Sequence, residues 1–151
     1  MDEILEEFVA ETRETLEILS SQLVAWEKTP YDSDLLDSVF RFVHNVKGSC
    51  GFLDLPRLSK LSHAAEELLS AARVGQVQAS SDVVTAVLAV IDQIAALTEA
   101  IENGRSVQDI DGLLISKLMQ FLPSGDQAAD VDGTNNIYAV FDDAALDLQP
   151  A

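Results

Sequence analysis

The sequence predicts an all-α protein: an antiparallel, up-and-down four-helix bundle with an additional C-terminal fifth helix. Three observations carry this. Apolar residues recur at spacings of three, four and seven along most of the chain. Of 151 residues, 48% are hydrophobic but only 6% aromatic, so the core must be Leu, Val, Ile and Ala, as in a helical bundle. No segment alternates apolar and polar residues as a half-buried strand would, and the connections are short, which favours antiparallel neighbours.

The first helix is expected over residues 2–27, with a stripe of Ile4, Leu5, Phe8, Val9, Leu16, Leu19, Leu23 and Trp26. Asp2 suits its N-cap, and the glutamates that follow suit the positive end of its dipole. Pro30 and Tyr31 mark a turn. The second helix is expected from Asp32 to Cys50, with apolar positions at Leu35, Leu36, Val39, Phe40, Phe42, Val43, Val46 and Cys50 and Gly51 ending it. Pro56 fits the first turn of the third helix, where its missing N–H is not needed. That helix buries Leu58, Leu61, Ala65, Leu68, Leu69 and Ala72 and stops at Gly75. Ser80 and Ser81 cap a fourth helix running to Asn103, striped by Val83, Val84, Val87, Leu88, Ile91, Ile94, Leu97 and Ile101 and closed by Gly104. A shorter fifth helix is expected over 109–122, with Ile110, Leu113, Leu114, Leu118 and Leu122.

Residues 1–122 thus form the predicted domain. Residues 123–151 hold no Lys or Arg and six acids, and are expected to be an acidic, mostly disordered linker or tail. Its apolar run Ile137–Phe141 either packs loosely on the bundle or serves as a docking segment.

The formal charge of −17 excludes nucleic acid as a partner, because a phosphate backbone is bound by basic surface. It also argues against an anionic membrane, while a basic patch on a partner would be steered towards it. One cysteine, Cys50, allows no intrachain disulfide and reads as a small core residue. The acidic N-terminus does not read as a signal peptide, and no uninterrupted apolar stretch reaches the ~20 residues of a membrane span. The expected location is the cytoplasm.

The only histidines are His44 and His63. His44 lies off the apolar stripe, on a face with Asp37, Arg41 and Gly48, and Lys47 borders that face. His63 shares a polar face with Ser59, Glu66, Glu67 and Ser70. The two histidines are equidistant in sequence from the connection between the second and third helices, so they lie level in an antiparallel pair. Glu66 sits about 4.5 Å further from that connection, at 1.5 Å rise per residue. Side chains lean towards their own helix N-terminus, so His44 leans away from the connection, Glu66 leans towards it, and the two meet.

A carboxylate bound to one imidazole nitrogen fixes the tautomer and raises the basicity of the other. The free nitrogen becomes a better nucleophile towards phosphorus. Lys47 would neutralise phosphoryl oxygens as a point charge. Glycine inside a helix costs about 1 kcal/mol relative to alanine, so Gly48 requires a reason. Access to His44 is one, and close helix packing is the other.

The run His44-x-x-Lys47-Gly48-x-x-Gly51, followed by His63-x-x-Glu66-x-Leu68-Leu69, resembles the histidine phosphotransfer (HPt) domain of the chemotaxis histidine kinase CheA. The resemblance covers about 120 residues, starting at the opening Met-Asp-Glu-Ile-Leu-Glu-Glu-Phe. It implies that His44 takes a phosphoryl group from ATP through a separate kinase domain, usually of another subunit. His44 then passes it to an aspartate of a response-regulator receiver. Lys47, His63 and Glu66 match the family's supporting residues. ATP and Mg²⁺ belong to the partner domains, so this domain is expected to bind no cofactor and to be a carrier rather than an enzyme. Asp37, Arg41, Asn45 and Ser49 are the expected partner-facing residues. The chain departs from the family at Asp54, where a loop glycine is usual, and Asp tolerates positive φ better than most residues. No nucleotide-binding segment is present, so the expectation is an excised amino-terminal domain or a short protein.

Two other readings remain from the residues. His44, His63 and Glu66 could form a zinc set with one open position, although Lys47 beside them would repel a cation. The bundle could instead be an adaptor that binds through Ile137–Phe141.

Overall fold

Helix α1 runs from Glu3 to Lys28, α2 from Ser33 to Leu53, α3 from Pro56 to Arg73, α4 from Ser81 to Asn103 and α5 from Asp111 to Met119. The computed structural model describes residues 2–123. Residues 124–151, with the expected tail and its Ile137–Phe141 run, lie outside the described residues. Helix α1 packs on α2 and α4, and α3 packs on α2 and α4, while the backbones of the diagonal pairs stay apart. The first four helices therefore close a ring around one core, and α5 lies against α3 and α4.

The core is aliphatic, as the composition requires. Val39, Val43, Leu58, Leu61, Leu68, Leu69, Val84, Val87 and Ile94 are fully enclosed. Trp26 is the large exception, with no exposed surface, and its indole Nε1 donates to the Pro30 carbonyl at 3.2 Å. That bond ties the end of α1 to the turn that starts α2. Helix ends follow the expected chemistry. Asp32 accepts from the backbone N–H of Asp34 and Leu35 at 3.0 and 3.1 Å, and Ser80 Oγ accepts from Val83 at 3.3 Å. Gly104 ends α4 with φ of 65°.

Several boundaries and faces differ from expectation. Gly51 does not end α2, which continues to Leu53 and stops at Asp54, in the left-handed region with φ of 56°. Here the short polar side chain does what glycine usually does. Ala72 is only half-buried, and Ala64 and Ala71 take the enclosed positions on α3. Of the apolar residues the sequence offered, Ile4 on α1, Ile110 before α5 and Leu113 on α5 are exposed. Cys50 is buried as expected, and burial pushes its thiol up to about 11, so it is an inert core residue. Helix α4 is long and apolar enough to cross a membrane by length and composition, with mean hydropathy of 1.7 in its most apolar window. Its acids interrupt the apolar run, which is why the sequence alone hid this. Val83, Val84, Val87, Val90, Ile91 and Ile94 spend that apolarity inside the bundle.

Helix α5 ends at Met119 rather than 122, and it starts at Asp111 rather than 109 where side-chain bonds hold the preceding segment. Arg57, at the start of α3, donates to the carbonyls of Val107 and Gln108 at 2.9 and 3.2 Å. It also grips the Asp111 carboxylate through Nε at 2.7 Å and Nη2 at 3.0 Å, and Gln93 of α4 adds a third bond at 2.8 Å. Bonding to Arg57 holds the Asp111 carboxyl below its ordinary range, against the opposing effect of burial. Asp111→Ala should cost about 2 kcal/mol, because the buried Gln93 amide loses its anionic partner. Urea denaturation measures this, and an unchanged midpoint would show that the clamp holds nothing.

Candidate functional site

His44 and Lys47 stand one turn apart on α2, and Glu66 faces them from the middle of α3. His44 Nδ1 lies 3.1 Å from Glu66 Oε2, and Lys47 Nζ lies 3.0 Å from Glu66 Oε1. The Lys47 approach is a charge pair rather than an aligned hydrogen bond, since buried Oε1 has no hydrogen-bond partner. One carboxylate thus serves two groups. The imidazole is 58% exposed, whereas Glu66 is 17% exposed.

With Glu66 ionised, Nδ1 must carry the proton and donate it to Oε2. Nε2 is then left with its lone pair. Burial alone would raise the Glu66 carboxyl, but contact with Lys47 and His44 outweighs burial and holds it below its ordinary value. The carboxylate therefore stays charged throughout the neutral range and fixes the tautomer there.

Beside the imidazole runs an open groove of about 490 Å³ between α1 and α2. From α2 it takes His44, Asn45, Gly48, Ser49 and Phe52, and from α1 Phe8, Glu11, Thr12 and Thr15. Phe52 is 73% exposed at its edge. A Cβ at Gly48 would meet nothing within 4 Å, so close helix packing does not explain this glycine. Gly48→Ala should raise stability by about 1 kcal/mol, the helix-propensity difference. Thermal denaturation decides this, and a destabilised protein would restore the packing explanation.

The structure thus brings together His44, Lys47 and Glu66, with Gly48 open beside them. It does not bring in His63, which is exposed on α3 and makes no hydrogen bond or ion pair among the described residues. Of the carrier and its three expected supporting residues, only His44, Lys47 and Glu66 are joined. No group of three or more His, Cys, Asp or Glu among the described residues could hold a metal ion, so the zinc set is not formed there. Asn45 and Ser49 face the groove and Arg41 is exposed, while Asp37 is half-buried and paired within the bundle. Its Oδ1 lies 2.8 Å from Arg73 Nε at the end of α3. Sequence reasoning missed Arg73 and the α1 side of the groove. It also gave Phe40 no role beyond an apolar position of α2, whereas that ring stacks on His44, with centroids 5.9 Å apart and planes 12° apart.

A model of the Hpt domain family matches residues 3–112. The chain belongs to the Hpt domain family. Among curated relatives of this Hpt domain, the sensor histidine kinase CheAY of Helicobacter pylori is 39% identical over 103 residues. The match takes 68% of this chain but 13% of that protein, so the Hpt domain spans about an eighth of that relative. The solution structure of a histidine phosphotransfer domain of CheA superposes with a TM-score of 0.70 at 29% identity, covering 86% of this chain and 99% of that one. The phosphorylated P1 domain of CheA3 from R. sphaeroides, solved with CheY6, shares the fold with a TM-score of 0.69 at 23% identity, covering 80% of this chain and 95% of that one. The all-α bundle with a fifth helix and the phosphotransfer family are therefore both established for this chain.

Proposed function

We propose that His44 is the phosphoryl-carrying residue of this Hpt domain. The observation that carries the reading is the Nδ1–Glu66 contact, which leaves Nε2 free on an exposed ring. The Nε2 lone pair attacks the γ-phosphorus of ATP held by a separate kinase domain. The bond from that phosphorus to the bridging oxygen breaks, and ADP leaves. The imidazole now carries positive charge, which Glu66 stabilises through Nδ1–H. Lys47, with three donors, faces the phosphoryl oxygens while keeping its contact with Glu66. In the second step a receiver aspartate attacks phosphorus, the N–P bond breaks, and neutral imidazole returns. In-line geometry and charge neutralisation by Mg²⁺ come from the partners. His63, one turn before Glu66 on α3, makes no hydrogen bond or ion pair among the described residues and takes no step in this transfer.

The receiver is the partner we assign to the α1–α2 groove side, where Asn45, Ser49 and Gly48 surround the imidazole. The R. sphaeroides neighbour, which shares the fold, was solved with CheY6. The cytoplasm, where ATP and receivers meet, is the location we assign. Incubation with a cognate kinase domain, Mg²⁺ and labelled ATP should yield an acid-labile, base-stable phosphate in the peptide that carries His44. Mixing with the receiver should then remove it. A base-labile label, or one mapped to another peptide, overturns the reading.

A further inference from the structure

The proton chemistry of His44 uses the edge of its ring, but the ring also has a face, and Phe40 covers it. Phe40 lies one turn earlier on α2 and stacks at a centroid distance of 5.9 Å. Phe40 is covered in turn by Arg73, the last residue of α3, whose guanidinium carbon stands 4.3 Å from its ring centroid. Arg73 is held by Asp37, at 2.8 Å. The order Asp37, Arg73, Phe40, His44 thus crosses from α2 to α3 and back.

This set does little for stability. Arg73 and Asp37 are 40% and 39% exposed, and exposed ion pairs contribute little. It does something specific to His44. The imidazole turns about a broad terminal torsion, and a single hydrogen bond at one edge leaves its plane free to tilt. Stacking removes that freedom. A guanidinium over Phe40 restrains the restraining ring through cation–π attraction. Asp37 balances the charge of Arg73, so Arg73 acts on orientation rather than as a counter-ion for phosphate. Orientation matters because the nucleophilic nitrogen must point in line at phosphorus.

We infer that Phe40 and Arg73 are positioning residues for phosphoryl acceptance, holding the plane of the His44 ring while Glu66 holds its edge. The inference rests on His44 being the phosphoryl carrier. Four variants test it: Phe40→Leu, Phe40→Tyr, Arg73→Gln and the double variant Phe40→Leu/Arg73→Gln. Two readouts are followed, the ¹⁵N shifts of the His44 imidazole and the phosphorylation rate against kinase concentration. In the unmodified protein the nitrogen shifts should report one tautomer, protonated at Nδ1. Phe40→Leu should let the ring tilt out of line with Glu66 Oε2, so that the tautomers mix, and lower the saturating rate about three- to fivefold, with half-saturation unchanged. Phe40→Tyr should restore both readouts. Arg73→Gln should lower the rate about twofold, and the double variant should be no slower than Phe40→Leu, because Arg73 works through Phe40. Unmodified tautomer and rate in Phe40→Leu would overturn the proposal, as would an Arg73→Gln loss that simply multiplies the Phe40→Leu loss. Should the unmodified protein take no label, the phosphocarrier reading falls, and the nitrogen shifts still decide whether Phe40 positions the ring.

Discussion

A His44→Gln protein takes up no phosphoryl group and keeps its fold. The glutamine amide nitrogen has its lone pair delocalised into the carbonyl, so it cannot attack phosphorus. The side chain it replaces is 58% exposed and buries no core surface, so stability should change by no more than about 0.5 kcal/mol. Glu66 keeps its Lys47 contact in the variant, which leaves no unpaired buried charge. Labelling with ATP and a kinase domain, alongside a thermal melt, separates loss of chemistry from loss of fold. Label at the unmodified level in the variant would remove His44 from its role.

Glu66→Gln should slow phosphorylation at least about tenfold, the scale of loss seen when a working imidazole loses its carboxylate partner. The amide is similar in shape but has no charge. It neither holds Nδ1–H as strongly nor stabilises the imidazolium that forms as the N–P bond is made. The acid side of the stability curve should change as well. Contact with Lys47 and His44 depresses the Glu66 carboxyl in the folded state below its ordinary value of 4.5. A depressed carboxylate adds stability that is fully present above the unfolded value and is lost as pH falls through the folded one. The unmodified protein should therefore lose stability relative to Glu66→Gln below pH 4.5. Parallel curves through that range would mean that the charge on Glu66 is not coupled to folding, and an unchanged phosphorylation rate would remove it from the chemistry.

Much of this was legible in the sequence, for identifiable reasons. The starts of α1, α2 and α4 were readable because Asp2, Asp32 and Ser80 accept bonds from the backbone N–H groups that follow them. The contact of His44 with Glu66 was readable because helix rise and side-chain tilt are nearly constant in an antiparallel pair. The end of α2 was not readable, since Gly51 invites a stop, yet the chain turns at Asp54. The start of α5 was hidden because Arg57 and Gln93, remote in sequence, hold the segment before it. Phe40 misled because an aromatic at core spacing is ordinarily core, and only an exposed histidine one turn later gives it another surface to cover. The same helix arithmetic that pairs His44 with Glu66 also pairs Asp37 with Arg73, seven residues earlier on α2 and seven later on α3.

That shared phase gives the two-residue link Asp54–Leu55 the role of a ruler. One residue added as helix between this link and Glu66 would advance the rest of α3 by 1.5 Å and turn it by roughly 100°. Glu66 would swing away from His44, and Arg73 would swing away from Asp37 and Phe40 in the same movement. The 74–80 connection between α3 and α4 carries no such obligation, since its only buried apolar anchor is Val77. Length variation in this bundle is therefore tolerable at one end of α3 and ruinous at the other. The left-handed turn at Asp54 does more than end a helix: it sets the calibration of the imidazole's surroundings.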